Sequence, residues 1–113
     1  MPSGRCDADV HIFGVVVERT PAGIRPLADA VVNGRFPPAA FEAALEKRTD
    51  TSGRYQFCRE VPAGLCDSGG CRLPFEISAG KDGYATASTT VTVVYDAWWF
   101  NDFGAPDLEL AAK

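Results

Sequence analysis

A polar turn running straight into an alternating strand, Thr49-Asp50-Thr51-Ser52-Gly53-Arg54-Tyr55-Gln56-Phe57, constrains this chain more than any other stretch. Tyr55 and Phe57 fall on one face of the strand, while Arg54, Gln56 and Cys58 fall on the other. Period-two alternation after an Asp/Ser/Gly turn is the signal of a half-buried antiparallel strand. Gly53 stands where a short hairpin turn requires a positive φ.

The flanking sequence supplies partners for such a strand. Val10–Glu18 reads as a strand apolar on both phases, suited to the centre of a sheet. Arg19–Pro26, with Pro21, Gly23 and Pro26, reads as a turn, and Leu27–Asn33 as a strand with Ala30 and Val32 inward. Further on, Arg72–Ala79 alternates with Leu73, Phe75, Ile77 and Ala79 on one face, followed by a Lys81-Asp82-Gly83 turn. Tyr84–Tyr95 is a long Thr-rich strand with Val91, Val93 and Tyr95 inward, and Asp107–Leu110 a short closing strand. A seventh strand is expected around Arg48–Asp50. One segment breaks this rhythm: Pro38–Arg48 is rich in Ala, Glu and Leu, places Phe41 and Leu45 four apart, and ends on Lys47 and Arg48. It predicts a short helix inserted near 38–48, with an irregular loop pinned by Phe41 as the rival.

At 113 residues, 46% hydrophobic and 23% charged, the chain suits one globular domain over residues 1–113, with 1–8 as an N-terminal arm. The frequent turns and short strands predict an all-β fold, a seven-stranded antiparallel Greek-key β-sandwich. A net charge of −4 with scattered basic residues disfavours nucleic acid as a partner. No apolar run reaches the length of a membrane-spanning helix, so no membrane insertion is expected.

Four cysteines, Cys6, Cys58, Cys66 and Cys71, suggest two disulfides and an oxidising, extracytoplasmic compartment: secreted, periplasmic or cell-surface. Met1–Cys6 does not read as a hydrophobic signal segment, so export is expected to rest on a signal not present in this chain. The Asp67-Ser68-Gly69-Gly70 turn would bring Cys66 to Cys71, leaving Cys6 for Cys58; cross-pairing remains the rival.

The order of these pieces resembles the carboxypeptidase regulatory-like domain, a transthyretin-like (prealbumin-like) sandwich. The matching runs are Ile12–Val16, Pro26–Val32, Thr49–Phe57, Val61–Gly64, Phe75–Ala79 and Asp82–Tyr84. The resemblance implies a module without catalytic activity, secreted or at the cell surface, that serves as a spacer, folding partner or binding surface. Two other transthyretin-like groups are enzymes. The hydroxyisourate hydrolases use several histidines and a Tyr-Arg-Gly-Ser ending, whereas this chain has His11 alone and ends Leu-Glu-Leu-Ala-Ala-Lys. The intradiol dioxygenases hold iron with two Tyr and two His, which one histidine cannot supply. His11 therefore reads as a structural strand residue and the chain as not an enzyme, with no cofactor and no catalytic residue.

The stretch most unlike the family pattern is 95–104, holding Tyr95, Asp96, Trp98, Trp99, Phe100, Asn101 and Asp102. Aromatic faces beside carboxylates and an amide suit a sugar, and exposed aromatics equally suit a protein interface. Aromatics folded back to plug the end of the sandwich are the plainer alternative. A zinc site from Cys58, Cys66, Cys71 and Cys6 or His11 lacks the usual paired spacing, and Asp50–Gly53 needs no calcium to explain a turn. The expected function is a structural, adhesion or assembly module that binds a protein partner or itself, as a homo-oligomer, through loops and a free sheet edge. The alternative is a carbohydrate-binding module that takes a glycan on loop 95–104.

Overall fold

The computed structural model describes residues 10–36, 45–59, 71–95 and 101–113, without the side chains of residues 59, 95, 101 and 102. Nine strands and no helix occur among the described residues. They are β1 (Val10–Thr20), β2 (Gly23–Pro26), β3 (Val31–Arg35), β4 (Leu45–Arg48), β5 (Arg54–Arg59), β6 (Cys71–Gly80), β7 (Ala87–Tyr95), β8 (Asn101–Gly104) and β9 (Leu108–Leu110).

Two sheets pack around one core. The first is organised on β1, which is long enough to take two partners on each side. Its first half pairs antiparallel with β5 and parallel with β8; its second half pairs antiparallel with β2 and parallel with β9. Val16 is the changeover, donating to the Gly53 carbonyl and accepting from the Leu27 amide. The second sheet runs β4-β3-β6-β7 and is antiparallel throughout.

Alternation places the core as the sequence leads one to expect. Tyr55 and Phe57 of β5 are buried, as are Leu73, Phe75, Ile77 and Ala79 of β6, Val91 and Val93 of β7, and Leu108 and Leu110 of β9. Phe36, Phe57 and Phe75 form the centre, with edge-to-face ring centroids 4.9 Å and 5.4 Å apart. Burying each such ring stabilises by roughly 1.5–3 kcal/mol. Gly34 of β3 makes room for this trio: a Cβ there would lie 2.6 Å from Phe75 and 2.9 Å from Phe57.

The Thr49–Phe57 stretch both turns and staples. Gly53 has φ 73°, and the Asp50 carboxylate accepts the amides of Ser52 and Arg54, each at 2.9 Å. Thr49 is itself buried; its hydroxyl donates to the Leu27 carbonyl at 2.7 Å and accepts the Ala30 amide at 2.8 Å. One buried hydroxyl thus fixes the 27–30 connection, where Asp29 adopts φ 60°.

Three expectations need correcting. The helix near 38–48 is not formed over Leu45–Arg48, which is β4, paired with β3 from Gly34↔Leu45 to Val31↔Arg48; residues 37–44 lie outside the described part. Helix propensity amounts to tenths of a kcal/mol per residue, whereas the edge of β3 offers the backbone groups on one side of β4 a ladder of partners. The 19–26 turn includes β2, which closes a hairpin with β1 through Thr20↔Gly23. The antiparallel pattern is also broken, because β8 and β9 run parallel to β1.

Candidate functional site

Two surfaces differ from an ordinary solvated face. The first is the edge of the second sheet at β7. Among the described residues β7 pairs only with β6, along nine residues from Cys71↔Tyr95 to Ala79↔Ala87. Its sequence, Ala-Ser-Thr-Thr-Val-Thr-Val-Val-Tyr, contains no charge, no proline and no glycine. Val91 and Val93 face the core, while Thr90, Thr92 and Val94 are exposed, Val94 to 44%. Strands at sheet edges are ordinarily protected by lysine, proline, a bulge or brevity, because their free N–H and C=O groups template pairing with another chain. β7 has none of these devices.

The second surface is the outer face of β1 and β5. Because Val10, Ile12 and Val16 point to the core, His11, Phe13 and Val15 point away from it, beside Arg54 and Gln56 of β5. His11 Nε2 and Gln56 Oε1 share a hydrogen bond of 2.8 Å, and the His11 and Phe13 rings lie 5.2 Å apart at 35°. Phe13 is 41% exposed. Lys47 and Arg48 of β4 close one side of a concavity of about 870 Å³.

The remaining polar groups of note are tied into the fold. Glu18 accepts from the Tyr84 hydroxyl at 2.8 Å and from Arg25 Nε at 3.0 Å, and these two bonds hold its carboxyl below the usual carboxylate range. The bond to Glu18 in turn raises the Tyr84 phenol. Tyr55 buries its hydroxyl against Gly14 with no hydrogen-bond partner among the described residues; burial, with the Asp107 charge adding to it, pushes its pKa up to about 12.

The residues expected to form a site are only partly placed. Tyr95 ends β7, and Asn101 and Asp102 open β8, paired with Val10 and His11 of β1. Asp96, Trp98, Trp99 and Phe100 lie outside the described residues, as do Cys6 and Cys66. Cys58 and Cys71, on different sheets, are both disulfide-bonded. The strand edge was legible as an uncharged Thr/Val run; the β1–β5 face was only partly so, because Arg54 could be placed on the outer face of its strand but Lys47 and Arg48 come from β4, a segment read as helix.

No protein-family model matches the chain, and no curated protein matches it. Solved structures do. The chain is similar to 3-chlorocatechol 1,2-dioxygenase from Rhodococcus opacus 1CP, with a TM-score of 0.63 and 17% identity, over 92% of this chain and 59% of that one. It is similar to catechol 1,2-dioxygenase from Pseudomonas arvilla C-1, with a TM-score of 0.63 and 16% identity, over 97% and 54%. Hydroxyquinol 1,2-dioxygenase from Pseudomonas putida DLL-E4 follows at 0.58 and 12%, over 92% and 56%. The chain thus spans little more than half the length of these proteins, and at such identities the likeness is one of fold.

These matches correct the expectation that the chain is not an enzyme: these three solved structures of similar fold are dioxygenases, so the fold gives no ground for excluding catalysis. An iron set of two tyrosines and two histidines, however, does not fit these residues. The sequence has one histidine, bonded to Gln56; the Tyr55 hydroxyl is sealed in the core and the Tyr84 hydroxyl is engaged by Glu18. Among the described residues no three His, Cys, Asp or Glu side chains converge on a metal-sized space.

Proposed function

We propose that this transthyretin-like sandwich is an assembly domain, in which β7 accepts a strand supplied by another chain, either a protein partner or a second copy. The observation that carries the reading is the nine-residue, uncharged edge of β7, unprotected among the described residues. An incoming strand would gain a full ladder of main-chain hydrogen bonds, and the exposed Thr90, Thr92 and Val94 would provide cross-strand contacts worth roughly 0.2–1 kcal/mol each. The extracytoplasmic compartment belongs to the same proposal, supported by the disulfide-bonded Cys58 and Cys71.

The test is sedimentation of the full chain across a hundredfold range of concentration, beside titration with a peptide copying residues 87–95. Self-association or peptide binding is expected, with the amides of β7 gaining exchange protection. A chain that stays monomeric and ignores the peptide would overturn the proposal.

A further inference from the structure

The outer face of β1 and β5 carries a feature that strand addition at β7 does not use. Phe13 is a large apolar ring left 41% exposed in the floor of a concavity, with the His11 ring tilted against it. Three cations stand around it in a chain whose net charge is −4. Arg48 is bound to Asp29 at 3.1 Å through Nη1, but Lys47 and Arg54 make no ion pair among the described residues. Asp50, the one carboxylate bordering the concavity among the described residues, has its Oδ1 committed to the Ser52 and Arg54 amides.

We infer that this face binds a small ligand made of a planar ring carrying an anionic group. The ring stacks on Phe13 and His11, offset or edge-to-face as aromatic quadrupoles prefer. The anion lies toward Lys47 and Arg54, where charge-assisted hydrogen bonds are about twice as strong as neutral ones. A ring alone would leave the two cations unanswered, and an anion alone would leave Phe13 in water. The volume, about 870 Å³, admits a ligand the size of a nucleotide or an aryl carboxylate. Both present the same chemistry, a flat π-face with a negative group at one end.

The experiment is an amide-resolved NMR titration of the full chain with two probes, adenosine monophosphate and 2-naphthoate. Their neutral counterparts, adenosine and 2-naphthylmethanol, serve as comparators. At least one anionic probe is expected to give saturable shifts concentrated on 11–15, 47–48 and 54–56, and to bind ~10-fold more tightly than its neutral counterpart. Phe13→Ala and Arg54→Gln should each weaken that probe ~10-fold, and Ile24→Ala, at a residue 55% exposed on β2, should leave it unchanged. The better of the two probes tells a nucleotide from an aryl carboxylate. Both variants alter exposed side chains, and a dispersed amide spectrum shows that each is folded; either one alone suffices for the test. Scattered shifts, equal binding of charged and neutral probes, or indifference to both variants would overturn the inference.

Discussion

The two edges of the second sheet are built on opposite chemistry. β4 is four residues long, and Glu46, Lys47 and Arg48 make three of them charged; β7 is nine residues long and carries no charge. Both ends leave a row of backbone groups without a strand partner among the described residues. At β4 an approaching strand would have to desolvate three charged side chains over a ladder of four residues. At β7 it meets threonine and valine over a ladder twice as long. One sheet can therefore be guarded against pairing at one end, by charge and brevity together, and left open at the other.

One well-packed sheet joins the two edges, and the largest effect is expected from disturbing it between them. Gly34→Ala should press a methyl group into Phe75 and Phe57 and lower the unfolding free energy by about 2 kcal/mol, read as a lower urea midpoint. An unchanged midpoint would mean that the aromatic trio is loosely packed.

Next comes the open edge itself. Thr90→Lys, Thr92→Lys and Val94→Lys together should reduce association by more than tenfold in sedimentation while moving monomer stability by only about 0.5 kcal/mol per site. If association persists, β7 is not the contact.

The reciprocal change is smaller. Glu46→Thr with Lys47→Thr removes two of the charges guarding β4, and should add a weaker second mode of association, visible as species larger than those formed by the unaltered chain. No change would show that brevity, rather than charge, closes that end.

The smallest effect concerns the anchor ahead of β7, where Tyr84 donates to Glu18 of β1. Glu18 has a folded pKa lowered from its ordinary value, so the interaction stabilises the fold above about pH 4.5 and is lost as pH falls through the lower folded value. Tyr84→Phe removes the largest cause of that lowering. The Glu18 carboxyl should then titrate nearer its ordinary range, measured by carboxyl-carbon NMR, and acid unfolding should begin at higher pH.

What could be read in advance follows the same division. Strands whose two faces differ were readable, because alternation is a direct image of one side in the core and one in water: β5 and β6 place their expected residues inside, and β7 does so with Val91 and Val93, the Tyr95 side chain lying outside the described part. β4 was not, because Leu45–Arg48 is exposed along its whole length and carries no period, so helix propensity spoke without opposition. β2, exposed at all four positions, was missed in the same way. The edge at β7 was half-readable. Its composition was visible, but whether a strand is central or terminal is a property of the sheet order.

By itself, the sequence determined that this chain is all-β, that Tyr55 and Phe57 face a core with Phe75 and Ile77, and that Gly53 turns with positive φ. Each of these rests on local periodicity or on the steric demands of a single residue. Only the tertiary structure decided that β8 and β9 run parallel to β1, that β7 ends its sheet among the described residues, and that Lys47 and Arg54 stand beside Phe13. Pairings between residues far apart in the chain carry no local signature; they are selected by which backbone groups remain unpaired after the nearer ladders have formed. Thr49, which reads as the start of a turn and proves to be a buried staple between two connections, belongs to both accounts.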